Sequence, residues 1–335
     1  MGRMLKKTSR GALTVMATFC LLNLISTPQH QPPAEDECGG GEQRRERQEL
    51  LDKLHGRVER LPGDSLKVDL IRPSWQPWRN DHNCASYHTR FGRGLSPVLL
   101  VSMPCSGSTW LRYLLESSTG FFSGSKYNDT ILYKAGFLGE YEGMEGGRTI
   151  IQRTHGASYF LADTHDLQDR YEKVDPDVPT ILLLRHPAKT LISHWRLFHL
   201  AGSNKHLDDV PVSIYQSEDF HDFVSEATSL WEELASDRLL WCNRPLYVLH
   251  YEDLVANTTH HLRQLLDFLS VPVDEGRFTC VASHLDGSFK RNTTRHFDPF
   301  TEDEKVRFVN AVKRINRLLT VLGYPQLPGS SDHSD

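Results

Sequence analysis

Four short apolar runs constrain this chain most, because each one closes on polar or charged residues. They are Pro97–Val101 into Ser102, Ile150-Ile151 into Gln152-Arg153-Thr154-His155, Thr180–Leu184 into Arg185, and Leu246–Leu249 into His250-Tyr251. The pattern predicts strands near 98–103, 149–154, 180–185 and 245–250 with helices between them. Alternating strands and helices imply an α/β fold, a central parallel sheet covered by helices on both faces. Ligands of such sheets bind outside the carboxyl ends of the strands, which is where these polar closings fall.

The first closing carries the most chemistry. Ser102-Met103-Pro104-Cys105-Ser106-Gly107-Ser108-Thr109-Trp110-Leu111 joins the strand to an amphipathic helix. Small residues at Ser106, Gly107 and Ser108 let backbone N–H groups converge on an anion, and the helix starting near Thr109 adds the positive end of its dipole. No lysine follows Gly107 and Trp110 follows Thr109, so the loop lacks the pattern of an ordinary Mg-nucleoside-triphosphate site. Taken alone, a small-residue turn after a strand is often only a turn. The third run adds a cation, Arg185, with Ser193 eight positions on, so that a guanidinium fork and a hydroxyl can converge on one phosphate. The second run ends in His155, a candidate general base, since an imidazole of ordinary pKa, about 6.5, can take a proton from a hydroxyl. One histidine among seventeen is by default structural, and only its place at a strand end singles it out. Glu252 and Asp253 are adjacent, point apart, and read as braces of the site.

The remaining chain sets the context. A length of 335 residues allows one substantial core plus appendages, and a net charge of −5 gives no footprint for nucleic acid. Arg3, Lys6, Lys7 and Arg10 form a tail, 1–10, before the charge-free stretch 11–27, which reads as a short membrane span with the amino terminus cytoplasmic. A cleaved signal peptide is the rival, against which no small-x-small pattern precedes Pro28. Residues 28–95 read as a lumenal stem, with one short helix from Leu50 to Leu61 and with Trp75, Trp78 and Cys84 packing onto the catalytic unit. That unit runs over 96–325 and is followed by a tail, 326–335, expected to be disordered. Five of the six cysteines, Cys38, Cys84, Cys105, Cys242 and Cys280, lie downstream of the span, where disulfides are permitted, although spacing does not decide the pairing. No cysteine and histidine spacing points to a metal site. Asn128, Asn257 and Asn292 head N-glycosylation sequons. Asn257 doubles as a helix cap, and Asn128 is the one expected to be modified. Helix 219–236 is expected to bury Phe220, Phe223, Leu230, Trp231 and Leu234. A last helix, capped by Thr301 and Glu304, is expected to bury Val309, Val312, Ile315 and Leu319.

Order and spacing of these motifs resemble the sulfotransferases that use 3′-phosphoadenosine 5′-phosphosulfate (PAPS), whose phosphosulfate loop is written P-K-S-G-T-T-W. Arg153-Thr154-His155 resembles their K-T-H segment, and Tyr251-Glu252-Asp253-Leu254 their Y-E-D-L block. Gly287-Ser288-Phe289-Lys290-Arg291 resembles the late basic loop that closes over the nucleotide; the alternative is a solvated basic pair. Narrower stretches, Gly120–Ser125, Lys134–Phe137, Leu265–Leu269 and Phe297–Glu302, look like the WSC-domain-containing sialate O-sulfotransferases, here without room for WSC modules. The resemblance implies a P-loop-type sulfotransferase fold and a Golgi type II protein sulfating terminal sialic acid. It implies PAPS as co-substrate without metal, a glycan acceptor on glycoprotein or glycolipid, and His155 as base. Residues 105–110 with Arg153 would then clamp the leaving group, Arg185, Ser193, Lys290 and Arg291 would hold the 3′-phosphate, and Trp110 would pack on adenine. Cys105 departs from the pattern, since it stands where many relatives carry a lysine. Two alternatives stay open: a fold-keeping lumenal binder without catalysis, and a sulfotransferase for tyrosine or another carbohydrate. A metal-dependent kinase is a more distant one.

Overall fold

The computed structural model describes residues 66–156, 174–200, 211–290 and 297–328. The expected tail 1–10, span 11–27 and stem helix, together with Arg291 and Asn292, lie outside the described residues. The chain divides into Met1–Glu49 and Leu50–Asp335, and every described residue belongs to the second unit.

Five strands form the central sheet: β3 (Leu99–Ser102), β4 (Gly124–Ser125), β5 (Gln152–Thr154), β6 (Thr180–Leu184) and β7 (Leu246–His250). Their order is β4-β5-β3-β6-β7 and every pair is parallel. β3, β5, β6 and β7 are the four expected from the apolar runs, and β4 is an addition at the edge. Gly124 sits there because a Cβ would run into the Gln152 side chain. Alternation splits the core between the two faces. Leu100, Ile181, Leu183 and Leu249 join one cluster with Leu111, Leu114 and Leu115 of helix α1 (Ser108–Thr119). Leu99, Val101, Leu182 and Leu184 alternate with these and are equally buried, which is why both faces of the runs are apolar.

Helices α2 (Thr130–Lys134), α3 (Pro187–Leu200) and α4 (Glu218–Trp241) come next in the chain. They are followed by α5 (Tyr251–Ala256), α6 (Thr258–Phe268), α7 (Glu275–Ser283) and α8 (Glu302–Val321). Helix α4 starts where Ser217 accepts from the Phe220 N–H, with Glu218 and Asp219 favourable at the dipole's positive end. It buries Phe220, Leu230, Trp231 and Leu234 as expected, whereas Val224 is buried more deeply than Phe223. Asn257 caps α6 by accepting from the His260 N–H, and Leu262, Leu265, Leu266 and Leu269 are buried. Helix α8 carries the expected capping box between Thr301 and Glu304. Its buried stripe is Phe308, Val312, Ile315 and Leu319, and Val309 is 50% exposed. Residue 309 is one step, about 100°, off the row that 308, 312, 315 and 319 keep on one face.

Ahead of the sheet, β1 (Lys67–Asp69) and β2 (Phe91–Arg93) pair antiparallel, and Cys84 is disulfide-bonded to Cys280 of α7. Trp78 and Cys84 are buried, whereas Trp75 stays 38% exposed. The part of the expected stem from residue 66 onward is therefore folded, because strand pairing and a cross-link hold it. Among the described residues no helix is long and apolar enough to cross a membrane.

Candidate active site

β3 lies between β5 and β6, so its loop meets the tips of both neighbours. The Cys105 residue takes a left-handed backbone, φ 65°, which a non-glycine residue adopts only under strain, and its carbonyl accepts from Arg185 Nη1 at 2.9 Å. Gly107 also has positive φ, 97°, and a Cβ there would meet the Tyr251 ring at 2.5 Å, so only glycine fits on both counts. Gly107 is the N-cap of α1, with no side chain capping and no acidic residue in the first turn. The amino end of α1 therefore presents uncapped N–H groups and an uncompensated positive dipole end beside the loop.

Arg185 is positioned from three sides. Its guanidinium lies 4.5 Å over the Tyr251 ring, its carbonyl accepts from Trp231 Nε1 at 3.0 Å, and Nη1 reaches the loop. Next to it, Glu252 Oε1 accepts from the His186 N–H at 3.3 Å and lies 4.0 Å from Lys189 Nζ, the bracing role expected for that carboxylate. Arg185 Nε and Ser106 Oγ are buried with no hydrogen-bond partner. Unsatisfied buried donors cost free energy, and these two are open to an acceptor from outside the chain.

His155 closes the other side. Its Nδ1 lies 2.7 Å from the Ser102 carbonyl, and because a carbonyl only accepts, the proton sits on Nδ1 and the basic lone pair on Nε2. The residue is 7% exposed, and burial, with the Arg153 charge adding to it, pushes its pKa down to about 3. The ordinary value near 6.5 expected from the sequence does not hold, because desolvation penalises the imidazolium. Arg153 donates from Nη2 to Ser125 Oγ and to Glu140 Oε1, both at 3.1 Å, and Glu140 Oε2 accepts from Arg112 Nη1 at 2.7 Å. Burial and the nearby Arg112 charge lower the Arg153 pKa to about 10, which leaves it protonated. Its terminal nitrogen is thus engaged behind the strand tip, away from the loop it was expected to help.

The other expected residues are placed as follows. Ser108 is buried and Thr109 half-buried in the first turn of α1. Trp110 is 2% exposed, its Nε1 donates to the Leu285 carbonyl at 2.8 Å, and Lys290 Nζ lies 4.9 Å over its ring. The indole expected to meet adenine is therefore core packing that carries the 285–290 loop. Lys290 also pairs with Asp286 at 3.0 Å. Ser193 Oγ donates to the Lys189 carbonyl of its own helix at 3.1 Å, and among the described residues no hydrogen bond joins it to the loop. Asn128 is exposed with φ 52°, and Asn257 is exposed as well as capping. Among the described residues the one cluster with metal-ligand spacing is Asp81, Cys84 and His284, and the Cys84 sulfur is consumed by the disulfide. A cavity of about 810 Å³ runs along Tyr113 and Glu116 of α1 and the 284–289 loop, and it is lined by none of the strand-tip residues.

The sulfotransferase domain family matches residues 95–307. A WSCD family member of Drosophila pseudoobscura pseudoobscura is 32% identical over 72% of this chain and 73% of its own length. The chain is a sulfotransferase of the WSCD family. A WSCD member of Drosophila melanogaster is 31% identical over 66% of the chain and 65% of its own length. Among solved structures, a mouse sulfotransferase complexed with PAP is 16% identical, with TM-score 0.39, over 69% of this chain and 89% of that one.

Several residues of this sulfotransferase site were given no role in it from the sequence. Tyr251 stands at a strand end as Arg185 and His155 do, and that placement could have flagged it. Trp231 was expected only to pack, although it also fixes the Arg185 carbonyl. Tyr127 and Glu140 lie in a stretch without periodicity, and no sequence signal marks them.

Proposed function

We propose that this chain moves a sulfuryl group from PAPS to a hydroxyl of a glycan, terminal sialic acid on glycoproteins or glycolipids. In this reading the residues downstream of the 11–27 anchor face the Golgi lumen. The observation that carries the donor is the pair of buried, partnerless donors, Ser106 Oγ and Arg185 Nε, beside the uncapped start of α1. These residues fit an anionic nucleotide. Ser106, Ser108 and Thr109 with their N–H groups would hold the 5′-phosphosulfate, and Arg185, Lys290 and Arg291, with Ser193, would hold the 3′-phosphate.

When bound, PAPS supplies an activated sulfuryl group on a phosphate leaving group. His155 Nε2 takes the acceptor hydroxyl's proton, and its Nδ1–H stays on the Ser102 carbonyl, which keeps the ring oriented as it gains charge. The loop N–H groups stabilise the negative charge that develops on the leaving phosphate. The Cys105 side chain brings no positive charge where many relatives have a lysine. Arg153 raises the local positive potential from behind the strand while Glu140 keeps it in place.

Transfer of radiolabelled sulfate from PAPS to a panel of sialylated and desialylated glycoproteins, glycolipids and tyrosine peptides tests the reading. Labelling of sialylated acceptors, reduced about 10²–10⁴-fold by His155→Ala, is the expected result. Labelling of peptides alone would move the acceptor class, and no transfer to any acceptor with PAPS bound would leave a binding protein.

A further inference from the structure

We propose that Tyr127 is the positioning residue of this site, fixing the plane of the His155 imidazole and thereby which ring nitrogen carries the proton. The inference rests on the reading of His155 as the base. Tyr127 follows β4, and its N–H donates to Ser125 Oγ at 3.2 Å, the same hydroxyl that receives Arg153 Nη2. Its phenol ring lies parallel to the imidazole, with centroids 5.1 Å apart and planes at 16°. Its hydroxyl oxygen accepts from the His155 backbone N–H, and it lies 3.4 Å from Thr154 Oγ1. One side chain thus holds both the main chain and the ring face of the base.

The grip on Tyr127 comes from the buried charges behind it. Arg153 Cζ lies 5.3 Å from the Tyr127 ring centroid, so the ring touches both the guanidinium and the imidazole. Glu140 Oε1 accepts from Asp129 N at 3.2 Å as well as from Arg153, which pins the 126–129 turn on its far side. The imidazole can rotate about its side-chain bonds, and the Ser102 carbonyl selects Nδ1–H only while the ring edge faces it. A flat, rigid partner on the ring face removes that rotation. An aliphatic residue at position 127 would fill space without holding a plane.

The test separates the two contributions of Tyr127. Tyr127→Phe keeps the ring and loses the acceptor for the His155 N–H, while Tyr127→Leu loses both. We expect kcat to fall about tenfold in the first, as for one lost hydrogen bond, and roughly a hundredfold in the second, with KM for PAPS within about twofold in both. In ¹⁵N imidazole spectra of the unliganded protein, wild type and Tyr127→Phe should show a single Nδ1–H tautomer. Tyr127→Leu should move both ring nitrogens toward the averaged shifts of a mobile ring. Unchanged ¹⁵N shifts in a folded Tyr127→Leu protein would overturn the proposal, as would wild-type kcat in either variant. The ¹⁵N result needs no turnover, so it stands apart from the base assignment, which fails separately if His155→Ala retains full activity.

Discussion

On its β6 side, strand β3 enters a loop beside two buried donors without a partner, whereas on its β5 side two guanidinium groups share one carboxylate before any ligand arrives, and only Arg153 Nε among their nitrogens is left buried and unpartnered. Arg185 Nε and Ser106 Oγ are buried and unsatisfied on the first side. On the second, Glu140 holds Arg112 at 2.7 Å and Arg153 at 3.1 Å, and both its oxygens are used. The contrast separates two jobs that the same sheet edge performs. The β6 side is arranged to receive an anion, and its vacancy of acceptors is the binding energy held in reserve. The β5 side holds a neutral imidazole beside an ion network in which Glu140 fixes both Arg112 and Arg153.

Breaking the closed side should be costly to the fold. Glu140→Ala leaves two buried guanidinium groups without their carboxylate, and we expect a loss of about 3–5 kcal/mol in urea unfolding. A loss below about 1 kcal/mol would show that the network is wet or rearranges, and the contrast between the sides would fade. A titration sharpens the same point. Glu116, buried and accepting from the Ser123 N–H at 2.8 Å, is pushed from 4.5 up to about 7 by burial. The folded protein therefore keeps a proton that the unfolded chain gives up as pH rises from about 4.5 to about 7, and stability falls across that window. Compared with Glu116→Gln, wild type should lose up to ~3 kcal/mol of stability over the window. Parallel pH curves for the two proteins would contradict it. His155 works in the opposite sense, since its lowered pKa, about 3, makes stability fall as pH drops below about 6.5.

The smallest expected effect lies on the open side. Trp231→Phe removes one hydrogen bond to the Arg185 carbonyl and should cost about 0.5–1.5 kcal/mol of stability, with weaker binding of PAP as the added sign that Arg185 has shifted. Unaltered PAP affinity in that variant would mean that Arg185 is held by Tyr251 and the loop alone.

The open side was largely legible in the sequence, and the closed side was not. Apolar runs fixed four strands by composition, and a strand end is a place where Arg185 and the 105–110 loop had to converge; of the other side only His155, at the tip of β5, could be read in the same way. The loop's small residues followed from the same logic, and at Gly107 the structure adds a reason of its own, since a Cβ there would run into the Tyr251 ring. Glu140 and Tyr127 lie in turns whose partners are set by the sheet edge β4, a two-residue strand without any apolar signature. Trp110 and Arg153 show the converse difficulty. Their residue types suit ligand binding, but whether such a side chain faces a ligand or the core depends on packing that spacing does not encode. The one-residue offset in the α8 stripe, Phe308 in place of Val309, is a milder form of that problem.

The central claim is that the β3 loop and Arg185 form one receptor for a nucleotide carrying 3′- and 5′-phosphates. Calorimetric titration of PAP, set beside Mg-ATP and beside PAP with Arg185→Ala, tests it most directly. Saturable PAP binding, weakened about 10–150-fold by Arg185→Ala, with Mg-ATP binding more weakly than PAP, is the predicted result. Equal affinity for PAP in wild type and Arg185→Ala, or preference for Mg-ATP, would contradict the account.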